Sequence, residues 1–71
     1  MNNIKFYRLK QGLTIRELSK KSGVAAGYIS ELENDRDSKK NPSKEVMEKI
    51  SAALEQTVAE IFFPDKRGVS F

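Results

Sequence analysis

The chain reads as all-α, one domain of five short helices, on three observations. Apolar side chains recur at three- and four-residue intervals along most of its length. Two Thr-x-x-Glu segments, Thr14–Glu17 and Thr57–Glu60, have the form of capping boxes. Gly12, Gly23, Pro42 and Pro64 punctuate the helical runs where stops and starts are needed. Seventy-one residues hold one compact domain, near the lower limit for a core without staples.

The first helix is expected over 2–11. Ile4, Tyr7 and Arg8 form one stripe, Phe6 and Leu9 widen it, and Gly12 stops it. The second, over 14–21, opens with the Thr14 hydroxyl on an orphan N–H and Glu17 reaching back, and it turns Leu18 inward. Ser22-Gly23 is a turn in which Gly23 supplies a left-handed backbone. The third helix, over 25–34, carries Ile29 and Leu32 inward and begins at Ala25, where Ser or Thr would cap it better. A polar loop, Asn34 to Asn41, leads to Pro42-Ser43 and a fourth helix over 43–54, with Val46, Ile50, Ala53 and Leu54 on one face. Thr57 opens a fifth helix over 58–63, which Pro64 ends. The expected core is Ile4, Leu13, Leu18, Val24, Ile29, Leu32, Val46, Ile50, Leu54, Val58 and Ile61.

Composition narrows the function classes. With neither cysteine nor histidine, disulfides, thiolate zinc sites and Cys or His nucleophiles are excluded, and a reducing cytoplasm suits the chain. No metal site and no cofactor is expected. No apolar run approaches a membrane span, and no signal-like segment opens the chain. Ten carboxylates are present, but none forms a catalytic pair: Glu31 and Glu33 fall on different helix faces, and Glu17 serves its cap. An enzyme is not expected. The net charge is only +3, yet Met1 to Lys21 holds six basic residues against Glu17 alone, and Arg36, Lys39, Lys40 and Lys44 form a second cluster. Such stretches either flank a phosphate backbone or are a solvated surface.

A short helix, a glycine turn and a second helix form a helix-turn-helix unit. The run from Leu13 to Asn34, followed by Asn41-Pro42-Ser43, resembles the lambda-repressor/Cro (XRE) family of DNA-binding domains. Leu18, Gly23, Val24, Ile29 and Glu33 stand at that family's relative positions, and the resemblance runs from Ile4 to Phe62. The Tyr28-Ile29-Ser30 run and the Asn-Pro-Ser restart are similar to short Gram-positive regulators of the SinR type. The resemblance implies a five-helix lambda-repressor-like domain over 4–62, its motif over about 15–34, and a C-terminal tail over 63–71. It further implies a bacterial or phage transcriptional regulator in the cytoplasm, read as a repressor that binds double-stranded DNA as a homodimer on a palindromic operator.

Site residues follow from the same resemblance. Arg8 and Glu33 match an ion pair that ties the first helix to the third; the alternative is a phosphate-facing Arg8 and a solvated Glu33. Thr14 and Ile15 sit near a phosphate at the start of the second helix, although Ile15 replaces a frequent glutamine and cannot donate a hydrogen bond. Arg16 and Ser43 join the DNA-contacting set. The third helix presents Ala25, Ala26, Gly27, Tyr28, Ser30 and Glu31 to the major groove. That set is chemically thin, since alanine and glycine make no bidentate base contact. Arg36, Lys39, Lys40 and Asn41, in a loop about two residues longer than usual for the family, run along the backbone or simply meet solvent. Phe62, Phe63, Val69 and Phe71 are apolar enough for a dimer contact, or for a tail folded onto its own core. Ala26, Gly27 and Glu31 also suit a different function, a protein-interaction module that keeps the fold without reading DNA. A regulatory protein partner is compatible with either.

Overall fold

In the computed structural model, residues 2–35 and 41–64 are described, and they form five helices without a β-strand. They are α1 (Ile4–Lys10), α2 (Ile15–Ser22), α3 (Ala26–Glu33), α4 (Lys44–Ala53) and α5 (Val58–Phe62). The observed ends lie within two residues of the expected ones, and most of the differences are capping residues that the expected ranges included. The all-α, five-helix class read from the sequence is the observed fold.

Local chemistry explains most of the helix ends. The Thr14 hydroxyl accepts from the Glu17 N–H at 3.0 Å while the Glu17 carboxylate accepts from the Thr14 N–H at 2.8 Å, a complete capping box. Ser43 and Thr57 cap α4 and α5 by accepting from Val46 N–H and Glu60 N–H. The second box is not the reciprocal kind expected: the Glu60 carboxylate accepts from the Tyr7 hydroxyl at 2.9 Å and so holds α5 to α1. Gly12 and Gly23 have φ of +71° and +78°, the left-handed backbone that closes α1 and α2. Glu55 takes the same conformation, φ +59°, after α4. There Gln56 N–H bonds Ser51 C=O and Glu55 N–H bonds Ala52 C=O, which is the Schellman arrangement.

The core gathers where the inner faces meet: α2 packs on α3 and α4, α4 on α5, and α1 on α3 and α5. Ile4, Leu18, Val24, Ile29, Leu32, Ile50, Ala53, Leu54 and Ile61 are buried, and Leu13 and Val46 pack against them half-exposed. Each fully buried aliphatic contributes about 1.5–3 kcal/mol. A cap contributes about 1 kcal/mol. Burial therefore sets the fold and the caps set where its helices stop. Two expectations need correction. Val58 is half-buried rather than central. Phe6 and Leu9 do not widen the inner stripe of α1; they are 60% and 58% exposed, because α1 meets its neighbours over only the Ile4, Tyr7 and Arg8 side.

Candidate nucleic-acid interface

The turn between α2 and α3 is fixed by short-range bonds. The Ser19 hydroxyl donates to the Val24 carbonyl, the Ser22 hydroxyl accepts from Val24 N–H at 3.2 Å, and Gly23 N–H reaches Ser19 C=O at 2.8 Å. Val24 is buried behind that turn, so α3 leaves it in a set direction. Ala25 is the N-cap of α3 and gives no side-chain hydrogen bond, and no acid stands in the first turn. The positive end of the helix dipole therefore meets neither a capping side chain nor an acid of its own first turn. In α2, by contrast, Glu17 occupies the first turn and Lys20 and Lys21 the last.

The C-terminal end of α3 is held just as firmly. Arg8 Nε donates to Glu33 Oε2 at 2.7 Å, Arg8 Nη2 donates to Glu33 Oε1 at 3.1 Å, and Nη1 donates to Leu13 C=O at 2.8 Å. Both side chains are nearly closed to solvent, 10% and 4% exposed. The hydrogen bond to Glu33 pushes the guanidinium above its ordinary pKa, against the opposing effect of burial, so it stays charged at any pH the fold experiences. The pair also corrects an unfavourable placement: a glutamate in the last turn of a helix opposes its dipole unless a cation neutralises it. Asn2 adds a second tie, its side-chain amide donating to Leu32 C=O at 2.9 Å.

Between these anchors the leading turn of α3 faces outward. Ala25, Gly27 and Glu31 are exposed, and Ala26, Tyr28 and Ser30 are half-buried. A Cβ built on Gly27 would meet nothing within 4 Å. Tyr28 packs against the core and is only half-open to solvent, so its ring is partly a support. Ile15 packs likewise, while Thr14 and Arg16 are exposed. Thr14, Arg16, Glu17, Ser19, Lys20 and Ala26 line a shallow recess between α2 and the start of α3. The structure thus brings Thr14, Arg16 and Ala26 together. Lys20 joins them, although the sequence marks it only as part of a basic stretch; its i+4 spacing from Arg16 is the signal that places both on one helix face. The Leu13 carbonyl as a partner of Arg8 has no side-chain signature and so leaves no trace in the sequence.

The remaining assignments are less complete. Asn41 and Ser43 are exposed at the start of α4, where the Ser43 hydroxyl already serves as a cap. Arg36, Lys39 and Lys40 lie outside the described residues, as do Val69 and Phe71. Phe62 is half-buried against the core, and Phe63 is 42% exposed at the end of α5. No group of acids able to hold a metal ion occurs among the described residues. No helix there is long and apolar enough to cross a membrane.

Comparison with known proteins agrees with this geometry. Residues 4–61 match the family model HTH_3, described as helix-turn-helix. The chain is 44% identical over 55 residues to the HTH-type transcriptional regulator SinR of Bacillus subtilis (strain 168), covering 78% of this chain and 48% of that protein. It is 39% identical over 59 residues to the HTH-type transcriptional regulator SlrR of the same organism, covering 83% and 38% respectively. It therefore spans half or less of the length of these curated relatives. The solution structure of the N-terminal DNA-binding domain of the master biofilm-regulator SinR from Bacillus subtilis superposes with a TM-score of 0.71 at 40% identity, covering 82% of this chain and 81% of that one. A helical fold with this turn, matched over 4–61, is decisive: the chain belongs to the helix-turn-helix family of lambda-repressor/Cro type.

Proposed function

We propose that this domain binds double-stranded DNA selectively and controls transcription as a repressor, with α3 in the major groove and α2 across the phosphate backbone. The observation that carries the reading is the leading turn of α3. It turns Ala25 and Gly27 to solvent, is uncapped by any side chain, is free of acids, and is held in direction by the Arg8–Glu33 pair behind it. A helix start of that kind suits an anionic duplex, since its unpaired N–H groups and dipole favour phosphate. Thr14 and Arg16 then face the backbone on one side, and Asn41 and Ser43 lie toward it from α4. Arg36, Lys39 and Lys40 extend that contact in the proposal.

Base readout by Ala25, Ala26 and Gly27 is limited to apolar contact and close backbone approach. Tyr28, Ser30 and Glu31 supply what polar reading there is. Affinity in this scheme rests mostly on phosphate contacts, and selectivity partly on groove shape. A domain of this size covers few base pairs, so the functional unit is a homodimer on two half-sites about 34 Å apart. Phe62 and Phe63, with Val69 and Phe71, are the proposed contact. The site of action is the cytoplasm, where such an operator would be.

Selection of bound duplexes from a random pool, followed by a salt titration on the winners, tests the proposal. A two-fold-symmetric consensus whose affinity falls steeply with salt is expected. Failure of the folded protein to bind any duplex above background at low salt would instead favour the interaction-module reading of Ala26, Gly27 and Glu31.

A further inference from the structure

We propose that the outward face of α1, formed by Lys5, Phe6, Leu9 and Lys10, is a docking surface for an acidic amphipathic segment of another protein. At about 3.6 residues per turn, Ile4, Tyr7 and Arg8 share the inner side of α1. Lys5, Leu9, Phe6 and Lys10 follow one another around the outer side. The two apolar side chains occupy the middle of that face, and a lysine flanks them on each edge. Phe6 and Leu9 are also the two most exposed large apolar side chains among the described residues. A single exposed leucine is ordinary, but an i, i+3 apolar pair forms a continuous patch. Phe6 is steadied as well: its ring meets Tyr7 edge-on with centroids 5.0 Å apart, and Lys10 Nζ lies 5.9 Å from its centre. A patch held in advance loses less side-chain freedom on binding.

Charge selects the occupant. No aspartate or glutamate precedes Glu17 in the sequence. The Glu33 carboxylate is taken by Arg8, and among the described residues neither Lys5 nor Lys10 forms an ion pair with an acid. A second copy docked face to face would set lysines against lysines. The chain's own residues 65–71 carry Lys66 and Arg67 against one side-chain acid, Asp65, and so would bring more cations than anions to a face that is already basic. A duplex would satisfy the lysines and leave Phe6 and Leu9 without a partner. A helical segment with apolar side chains at i and i+3 or i+4, bordered by glutamate or aspartate, satisfies all four residues at once. None of the four belongs to the set proposed for DNA, so the surface is available to a regulator while the duplex is bound.

The test uses the full chain, isotope-labelled, and synthetic helical peptides. One peptide carries leucine and phenylalanine bordered by glutamates; a second replaces the glutamates with lysine; a third replaces the apolar residues with alanine. The acidic apolar peptide is expected to shift the amides of residues 4–10, and the other two to bind about tenfold more weakly or not at all. Phe6→Ser with Leu9→Ser, and separately Lys5→Glu with Lys10→Glu, should each weaken the acidic peptide about tenfold while retaining any duplex binding and the thermal midpoint. Equal binding by either variant pair, or by the lysine peptide, overturns the proposal. It also fails if Phe6→Ser with Leu9→Ser turns a native dimer into a monomer, since a second copy then covers the face. Movement of the Phe6 and Leu9 signals on deleting residues 65–71 would assign the face to the chain's own tail and overturn it too. Binding of phosphatidylglycerol vesicles in place of the acidic peptide would assign the face to a lipid surface and likewise overturn the proposal.

Discussion

The Arg8 guanidinium bonds Glu33 twice, at 2.7 and 3.1 Å, and spends its remaining reach on the Leu13 carbonyl at 2.8 Å. One side chain thereby joins α1, the entry to α2 and the last turn of α3. The last two are the helices proposed to lie on DNA, so this buried cation helps to hold the angle that the turn between them sets. Removing one partner of such a pair leaves the other charged and desolvated. Arg8→Met is expected to cost about 3–5 kcal/mol in chemical denaturation. Arg8→Met combined with Glu33→Met should recover much of that loss. A cost below about 1 kcal/mol for the single change would place the pair among ordinary surface bridges.

Glu55 is the converse case, a residue the fold tolerates rather than needs. Its φ of +59° belongs to glycine, and its carboxylate stands 3.8 Å from Lys21 Nζ with both groups exposed. The left-handed backbone costs a non-glycine residue about 1–2 kcal/mol. An exposed ion pair returns about 0–1 kcal/mol. Glu55→Gly should therefore raise stability, by about 0.5–1 kcal/mol after the extra chain entropy of glycine is counted. Lys21→Ala, as a control on the ion pair, should leave the melting temperature nearly unchanged.

Gly23 has the same backbone sign and needs it. A Cβ there would meet no atom within 4 Å, so any penalty on substitution is conformational rather than steric. Gly23→Val should lose more than about 1 kcal/mol, Gly23→Ala less, and Gly23→Asn least, following the tolerance of each for positive φ. Thermal melts of the three variants give the order directly. A neutral valine would mean that the turn relaxes to another geometry.

How much of this was legible in the residues depended on the range of the interaction. Helix starts were readable because a capping box is a four-residue event, and Thr14–Glu17 forms it fully. Ile4, Leu18, Ile29, Ile50 and Ile61 were readable as core because helical spacing fixes which side a residue takes. Spacing does not fix how wide the buried side is. Phe6 and Leu9 therefore read as a widening of the inner stripe and stand in solvent, since α1 is covered by α3 and α5 over a narrow arc. Glu60 was assigned to its cap by the same local rule, and a tertiary partner, the Tyr7 hydroxyl 53 residues away, took its carboxylate. Arg8 with Glu33 was reachable only through resemblance, as nothing local links positions 25 residues apart. At the candidate interface, Gly27 and Glu31 were placed outward through the resemblance, and they are exposed, whereas the inward lean of Tyr28 onto the core had no such signal.

Ala25 begins α3 without a side-chain acceptor for the helix N–H groups. Ala25→Ser should supply one and add roughly 0.5–2 kcal/mol in the denaturation midpoint. The same hydroxyl would then compete with a phosphate for those N–H groups, so the gain in stability should not be matched by a gain in duplex affinity. An unchanged midpoint would show that the helix start is already satisfied by another group.

Gly27 separates stability from function most cleanly. It is exposed, its added Cβ would meet nothing within 4 Å, and its φ is not in the left-handed region. Nothing in the fold requires glycine there, and glycine inside a helix is about 0.8–1 kcal/mol worse than alanine. Gly27→Leu should therefore leave the melting temperature unchanged or raise it. In the proposed complex the same position lies against the base edges, where a branched side chain would lift α3 away from the groove floor. Selective binding should then fall by tenfold or more, equivalent to about 1.4 kcal/mol, while weak binding to arbitrary duplexes persists because it depends on phosphate contacts. Gly27→Ala should fall between the two, since a methyl group can still meet a thymine methyl. Paired melts and competition binding on selected and scrambled duplexes provide the measurement. A Gly27→Leu protein that is stable and still discriminates between the two duplexes would remove α3 from the groove in this proposal.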